Sequence, residues 1–70
     1  MTMTTNEYRQ HLTRLDLSQL AAGRMLGVDP RTARRFASGD QPIPPPYAML
    51  LELMEPQDAS DLLAEMAERA

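Results

Sequence analysis

Seventy residues is about half of a typical domain, so one small core is the upper limit and a two-domain enzyme is excluded. With no cysteine, neither disulfides nor a thiolate zinc site can reinforce that core, which leaves oligomerisation as the natural support. Hydrophobic residues at 43% and charged residues at 24% place the chain outside the disordered regime. No apolar run approaches the roughly 20 residues of a membrane span, and no basic-then-apolar signal segment opens the chain, so the expected compartment is the cytoplasm.

The net charge of −3 hides a division between two halves. Residues 1–39 carry six arginines against Glu7, Asp16 and Asp29, a local +3; residues 40–70 carry Arg69 alone against seven carboxylates, a local −6. Such asymmetry points to one half facing a polyanion and the other turned away. All seven cations are arginine, whose planar fork can bind phosphate or guanine in a bidentate way, although a GC-rich genome would produce the same bias.

Periodicity is helical nearly throughout, and the expected class is all-α, a bundle of about five helices in a single domain over residues 1–70. Thr4 and Glu7 have capping-box spacing, Met3 and Tyr8 fit the hydrophobic staple, and Tyr8, Leu12 and Leu15 share a face, which predicts helix 1 over about residues 5–15. Ser18 then serves as an N-cap, with Ala22, Met25 and Leu26 inward and Gly27 as the stop. Asp29-Pro30 is a strong start for helix 3, because the carboxylate accepts from free amides and proline loses no hydrogen bond in the first turn. Ala33 and Phe36 take its buried side and Gly39 its exit, while Arg31, Thr32, Arg34, Arg35 and Ser38 point elsewhere.

Asp40–Pro46 reads as a stiff, proline-rich loop pinned by Ile43. Tyr47, Leu50, Leu51 and Met54 form the stripe of helix 4, and Met49 and Leu53 widen it beyond one buried face. After Pro56, Ala59, Leu62, Leu63, Met66, Ala67 and Ala70 recur at helical spacing in an amphipathic helix 5. Helices 4 and 5, over residues 46–70, are expected to complete the core and to form a homodimer interface through Met49, Leu53, Leu62, Leu63 and Met66.

Two short helices joined by a glycine-containing turn, the second bearing the arginines, describe a helix-turn-helix over residues 18–38. Over about residues 5–55 the chain resembles the Cro/cI-type (XRE-like) helix-turn-helix family. The residues that carry the likeness are Leu17-Ser18-Gln19, Leu26-Gly27-Val28, Thr32, Arg34-Arg35-Phe36 and Gly39, followed by Pro42-Ile43-Pro44. It departs from the family at Gly23, in place of the usual alanine, which permits close helix approach at about 1 kcal/mol of helix propensity. Ala33 replaces valine or isoleucine and Phe36 replaces tryptophan, and both shrink the buried wedge.

The resemblance implies a lambda-repressor-like fold and a sequence-specific regulator of double-stranded DNA. It would be a repressor of phage or mobile-element type, possible as an autoregulator, and would bind an inverted repeat as a homodimer. Helix 3 would enter the major groove, with Arg31, Thr32 and Arg35 on base edges and Arg34 and Ser38 on phosphates. Ser18 and Gln19, at the start of helix 2, would hold a further phosphate. The alternative is a helical interaction module, such as an antitoxin or adaptor, that uses helices 4 and 5; it has no need of a basic helix 3. No catalytic triad, metal cluster or phosphate loop is visible, so an enzyme, a cofactor and a small-molecule substrate are not expected. His11 reads as a boundary residue, Arg14 and Arg24 as solvated or ion-paired, and the six methionines as gap-fillers.

Overall fold

In the computed structural model, which describes residues 3–69, the chain is all-α: α1 spans Thr5–Arg14, α2 Gln19–Leu26, α3 Pro30–Ser38, α4 Pro45–Leu53 and α5 Pro56–Arg69. No strand occurs among the described residues. The first three helices begin where a side chain takes up an otherwise unpaired amide. Thr4 accepts from the Glu7 amide while Glu7 accepts from the Thr4 amide, closing the expected capping box. Ser18 accepts from the Ala21 amide at 3.0 Å and Asp29 from the Thr32 amide at 2.7 Å. Gly27 and Gly39 leave α2 and α3 in the left-handed conformation, where a side chain is costly.

Helix α1 ends within a residue of expectation, and only the start of α4 departs from it. Helix α1 stops at Arg14, and Asp16 turns the chain with φ 55°, a left-handed residue that is not glycine. The Leu17 amide donates to the Leu12 carbonyl and the Asp16 amide to the Thr13 carbonyl, the Schellman pairing, and Leu12 and Leu17 are both buried. Helix α4 starts at Pro45, inside the segment expected to be loop. Pro45 and Pro46 fall at its first two positions, whose amides have no partner within a helix, so proline costs nothing there. The pre-proline restriction makes itself felt one residue earlier, at extended Pro44.

The core gathers all three aromatic residues. Phe36 lies between Tyr8 and Tyr47 in edge-on contacts with ring centroids 6.1 and 6.2 Å apart. Leu12, Leu15, Ala37, Ile43, Leu51 and Met54 close around them, and Met3 is buried as the staple residue. Tyr8 is fully buried and its hydroxyl finds no partner among the described residues, and burial holds that phenol above its ordinary value of 10. Helix α4 is rotated from its expected register. Ala48 is buried while Leu50 is 42% exposed, and Leu51 and Met54 are the large α4 side chains buried in the core.

Helix α1 is the brace of the bundle. Arg9 Nε donates to the Ala37 carbonyl at 2.6 Å, and Arg14 Nη2 donates to the Leu51 carbonyl at 2.8 Å. Each guanidinium thus sits on the last turn of a different helix, where carbonyls lack partners and a cation is favoured. Arg14, expected to be solvated or ion-paired, is instead a tether between α1 and α4, and it also lies 3.3 Å from His11 Nδ1. Helix α5 folds back on α2 of the same chain, with Ala59 buried and Leu62 and Leu63 half-buried against the core.

Candidate functional site

Glycine in the middle of α2 determines how α3 is held. A methyl group on Gly23 would lie 2.6 Å from the Ala33 Cβ, so the two helices touch at a distance that only glycine against alanine allows. The family departures at residues 23 and 33 are therefore complementary: one removes the side chain that the other's short methyl then approaches. Ala33, Phe36 and Ala37 anchor the inner face of α3.

At about 100° per residue, the opposite face is centred on Arg31 and Arg35, about 40° apart. Arg34 stands about 60° to the other side of Arg31, and Thr32 sits on the flank, where it is half-buried. Arg31, Arg34 and Arg35 are all exposed, and among the described residues none forms a salt bridge or a side-chain hydrogen bond. Three guanidinium groups lie within five residues on a surface that the protein itself does not use. Arg24, also exposed, extends the basic surface onto α2 beside a shallow groove floored by Gly23 and Ala33 and edged by Leu20 and Arg34. Because Arg9 and Arg14 serve carbonyls inside the fold, the cationic face is made by α2 and α3 alone.

Ser18 and Gln19 are exposed at the start of α2. The Ser18 hydroxyl already accepts from Ala21, so the amides of Gln19 and Leu20 are the ones left for an anion. Ser38, expected on a phosphate, is also exposed; its hydroxyl donates to the Arg35 carbonyl at 3.2 Å across the last turn of α3, a bond it would exchange to reach a phosphate.

Asp29 joins the site unforeseen. Its carboxylate caps α3, is exposed, and lies near enough to Arg31 and Arg35 to feel their charge; the hydrogen bonds from Thr32, then those cations, hold its carboxyl below the usual 3.8. The sequence shows the cap at once, but not that its charge is felt by two arginines of the same helix. Away from this face, Met49 and Leu53 are 59% and 77% exposed, and Leu50 joins them. Leu62, Leu63 and Met66 are half-buried, so the most open apolar surface of the expected interface lies on α4.

Among the described residues no group of three His, Cys, Asp or Glu side chains is placed to hold a metal ion, and no helix is long and apolar enough to cross a membrane. Comparison of the chain with models of known families, with curated proteins and with solved structures finds no match.

Proposed function

We propose that this protein is a sequence-specific regulator of double-stranded DNA, a repressor that inserts α3 into the major groove and binds an inverted repeat as a homodimer. The observation that carries the reading is the outer face of α3, where Arg31, Arg34 and Arg35 are exposed and have no partner among the described residues, while Ala33, Phe36 and Ala37 lock the inner face. A helix of nine residues held by a three-residue turn against a second helix is the size that the major groove accepts. In this reading Arg31 and Arg35 meet guanine edges, Thr32 offers its methyl to thymine, and Arg34 and the first turn of α2 at Ser18 and Gln19 meet phosphates. The acidic second half of the chain repels DNA where it approaches, which favours binding through the arginines of α3.

Dimerisation supplies the second half-site. The apolar surface of Met49, Leu50 and Leu53 on α4 is the surface offered to a second copy, with half-buried Leu62, Leu63 and Met66 on α5 in reserve. A two-fold dimer would place half-site centres about 10 base pairs, or a multiple, apart. Selection of bound sequences from random duplex DNA tests the whole reading. The expected outcome is an inverted repeat containing guanines, with affinity falling steeply with salt, by about 0.9 log units per log unit for each phosphate neutralised. A flat salt titration with no enriched sequence would overturn it in favour of a protein-interaction module.

A further inference from the structure

An exposed carboxylate at the front of a DNA-reading helix is a costly residue. It repels every phosphate of a polyanion, whereas Ser or Asn would cap α3 equally well without charge. Asp29 nevertheless occupies that position, exposed, one residue before the proline that opens α3. One of its oxygens is held by the Thr32 amide at 2.7 Å, which fixes the direction of the group. Arg31 and Arg35 are close enough to influence it, but neither comes within salt-bridge distance among the described residues. The two arginines are therefore not consumed by the carboxylate, and the carboxylate keeps its second oxygen free. Ionised, that oxygen can only accept a hydrogen bond.

In the major groove, acceptors dominate the guanine edge and suit arginine, while the donor on cytosine is its N4 amino group, which suits a carboxylate. Building on the DNA reading above, we infer that Asp29 is a specificity-determining residue that accepts a hydrogen bond from a cytosine amino group, in the same half-site whose guanines face Arg31 and Arg35. The front of α3 thus carries two signs of charge with two tasks. The arginines select guanine and supply attraction, and the carboxylate selects cytosine and penalises any alignment that sets it against a phosphate or an acceptor edge. This lowers affinity for random DNA and raises the ratio of specific to non-specific binding, which is the quantity a regulator needs amid many competing sites.

Asp29→Asn and Asp29→Ser separate this role from capping, since both retain an N-cap acceptor for the Thr32 amide and circular dichroism reports whether the helices persist. Sequences are selected from random duplex DNA with the wild-type chain and with each variant. With wild type, one position of each half-site should be cytosine by at least about fivefold over the other bases. Asp29→Asn should move that position towards adenine, whose N6 and N7 pair with an amide, and Asp29→Ser should relax it. In both, the guanine positions should persist and binding to unselected DNA should tighten. An unchanged cytosine position in folded variants, or a wild type that enriches sites lacking it, would show Asp29 to be a cap alone and leave the DNA reading standing. If wild type enriches no sequence at all, the DNA reading fails and this inference with it.

Discussion

Replacing Gly23 by alanine tests whether the close approach of α2 and α3 is structural. In an unhindered helix interior the change is favourable by about 1 kcal/mol, because alanine restricts the unfolded chain and lowers the cost of ordering the backbone. Here the new methyl would lie 2.6 Å from the Ala33 Cβ, about 1 Å short of the roughly 3.5–4.0 Å at which carbon atoms attract. Neither atom belongs to a flexible chain end, so the helices themselves must part, and overpacking of this kind costs about 1–3 kcal/mol. The net expectation is a loss of up to about 2 kcal/mol, which lowers the melting temperature of a domain this size by about 4–8 °C per kcal/mol. Pairing it with Ala33→Gly removes the clash, since the added methyl then meets Val28 Cγ2 at 3.5 Å and the residue-33 Cα at 3.8 Å, both ordinary contacts. Urea unfolding of the two single variants and the double variant completes the cycle. The double variant should be more stable than the sum of the singles by about 1–3 kcal/mol, whereas neighbours that do not interact add to within about 0.5 kcal/mol. If Gly23→Ala alone stabilises the protein, or if the two changes are additive, the proposed contact does not set the spacing of the helices.

Other expectations can be checked separately. On a selected site, Arg31→Ala and Arg35→Ala should each cost about 1–3 kcal/mol and relax one base preference, whereas Arg34→Ala should weaken specific and non-specific DNA alike and reduce the salt slope by about one, as titrations on both DNAs will show. Uniform losses for all three would make α3 a positioning element only. Tyr8→Phe removes a buried hydroxyl without a partner and should leave stability unchanged or raise it by up to about 1 kcal/mol in denaturant titration; a loss would mean that the hydroxyl is bonded in solution. Glu7 and Asp29 both have folded pKa values below the ordinary 4.5 and 3.8, Glu7 through the Thr4 amide and hydroxyl, Asp29 through Thr32. Their contribution is therefore present in full above those ordinary values and disappears as pH falls through the lower folded ones, so unfolding midpoints should decline in acid, and less so in a Glu7→Gln, Asp29→Asn double variant. Leu53→Asp together with Met49→Asp should yield a monomer by sedimentation with helicity intact; a mass unchanged from a wild-type dimer would exclude α4 from the interface.

Much of the fold was legible because much of it is local. Thr4 with Glu7, Ser18 with Ala21, and Asp29 with Thr32 are pairs three residues apart, so the chain specifies these helix starts before any tertiary contact exists. Gly27 and Gly39 mark the exits for the same reason, since the left-handed conformation is a property of the single residue. The burial of Tyr8, Leu12, Ala33 and Phe36 follows from periodicity, and with it the outward direction of Arg31 and Arg35.

What the sequence could not display depends on residues distant along the chain. In the sequence Arg9 counts only towards the charge of the first half and Arg14 reads as solvated or ion-paired, yet their partners, Ala37 and Leu51, lie 28 and 37 residues away, and only packing brings the carbonyls within reach. Whether Leu50 or Ala48 faces inward depends on how α4 is rotated against the rest of the core, which periodicity does not contain because both positions border the apolar stripe. The α4 start at Pro45 was hidden by a run of prolines compatible with both an extended chain and a first helical turn, and packing chose between them. Gly23 and Ala33 each look like a weakened helix-turn-helix when considered singly. Only the approach of α2 to α3 makes them a matched pair, because the energy of a close contact resides in the distance between two atoms and in neither residue alone.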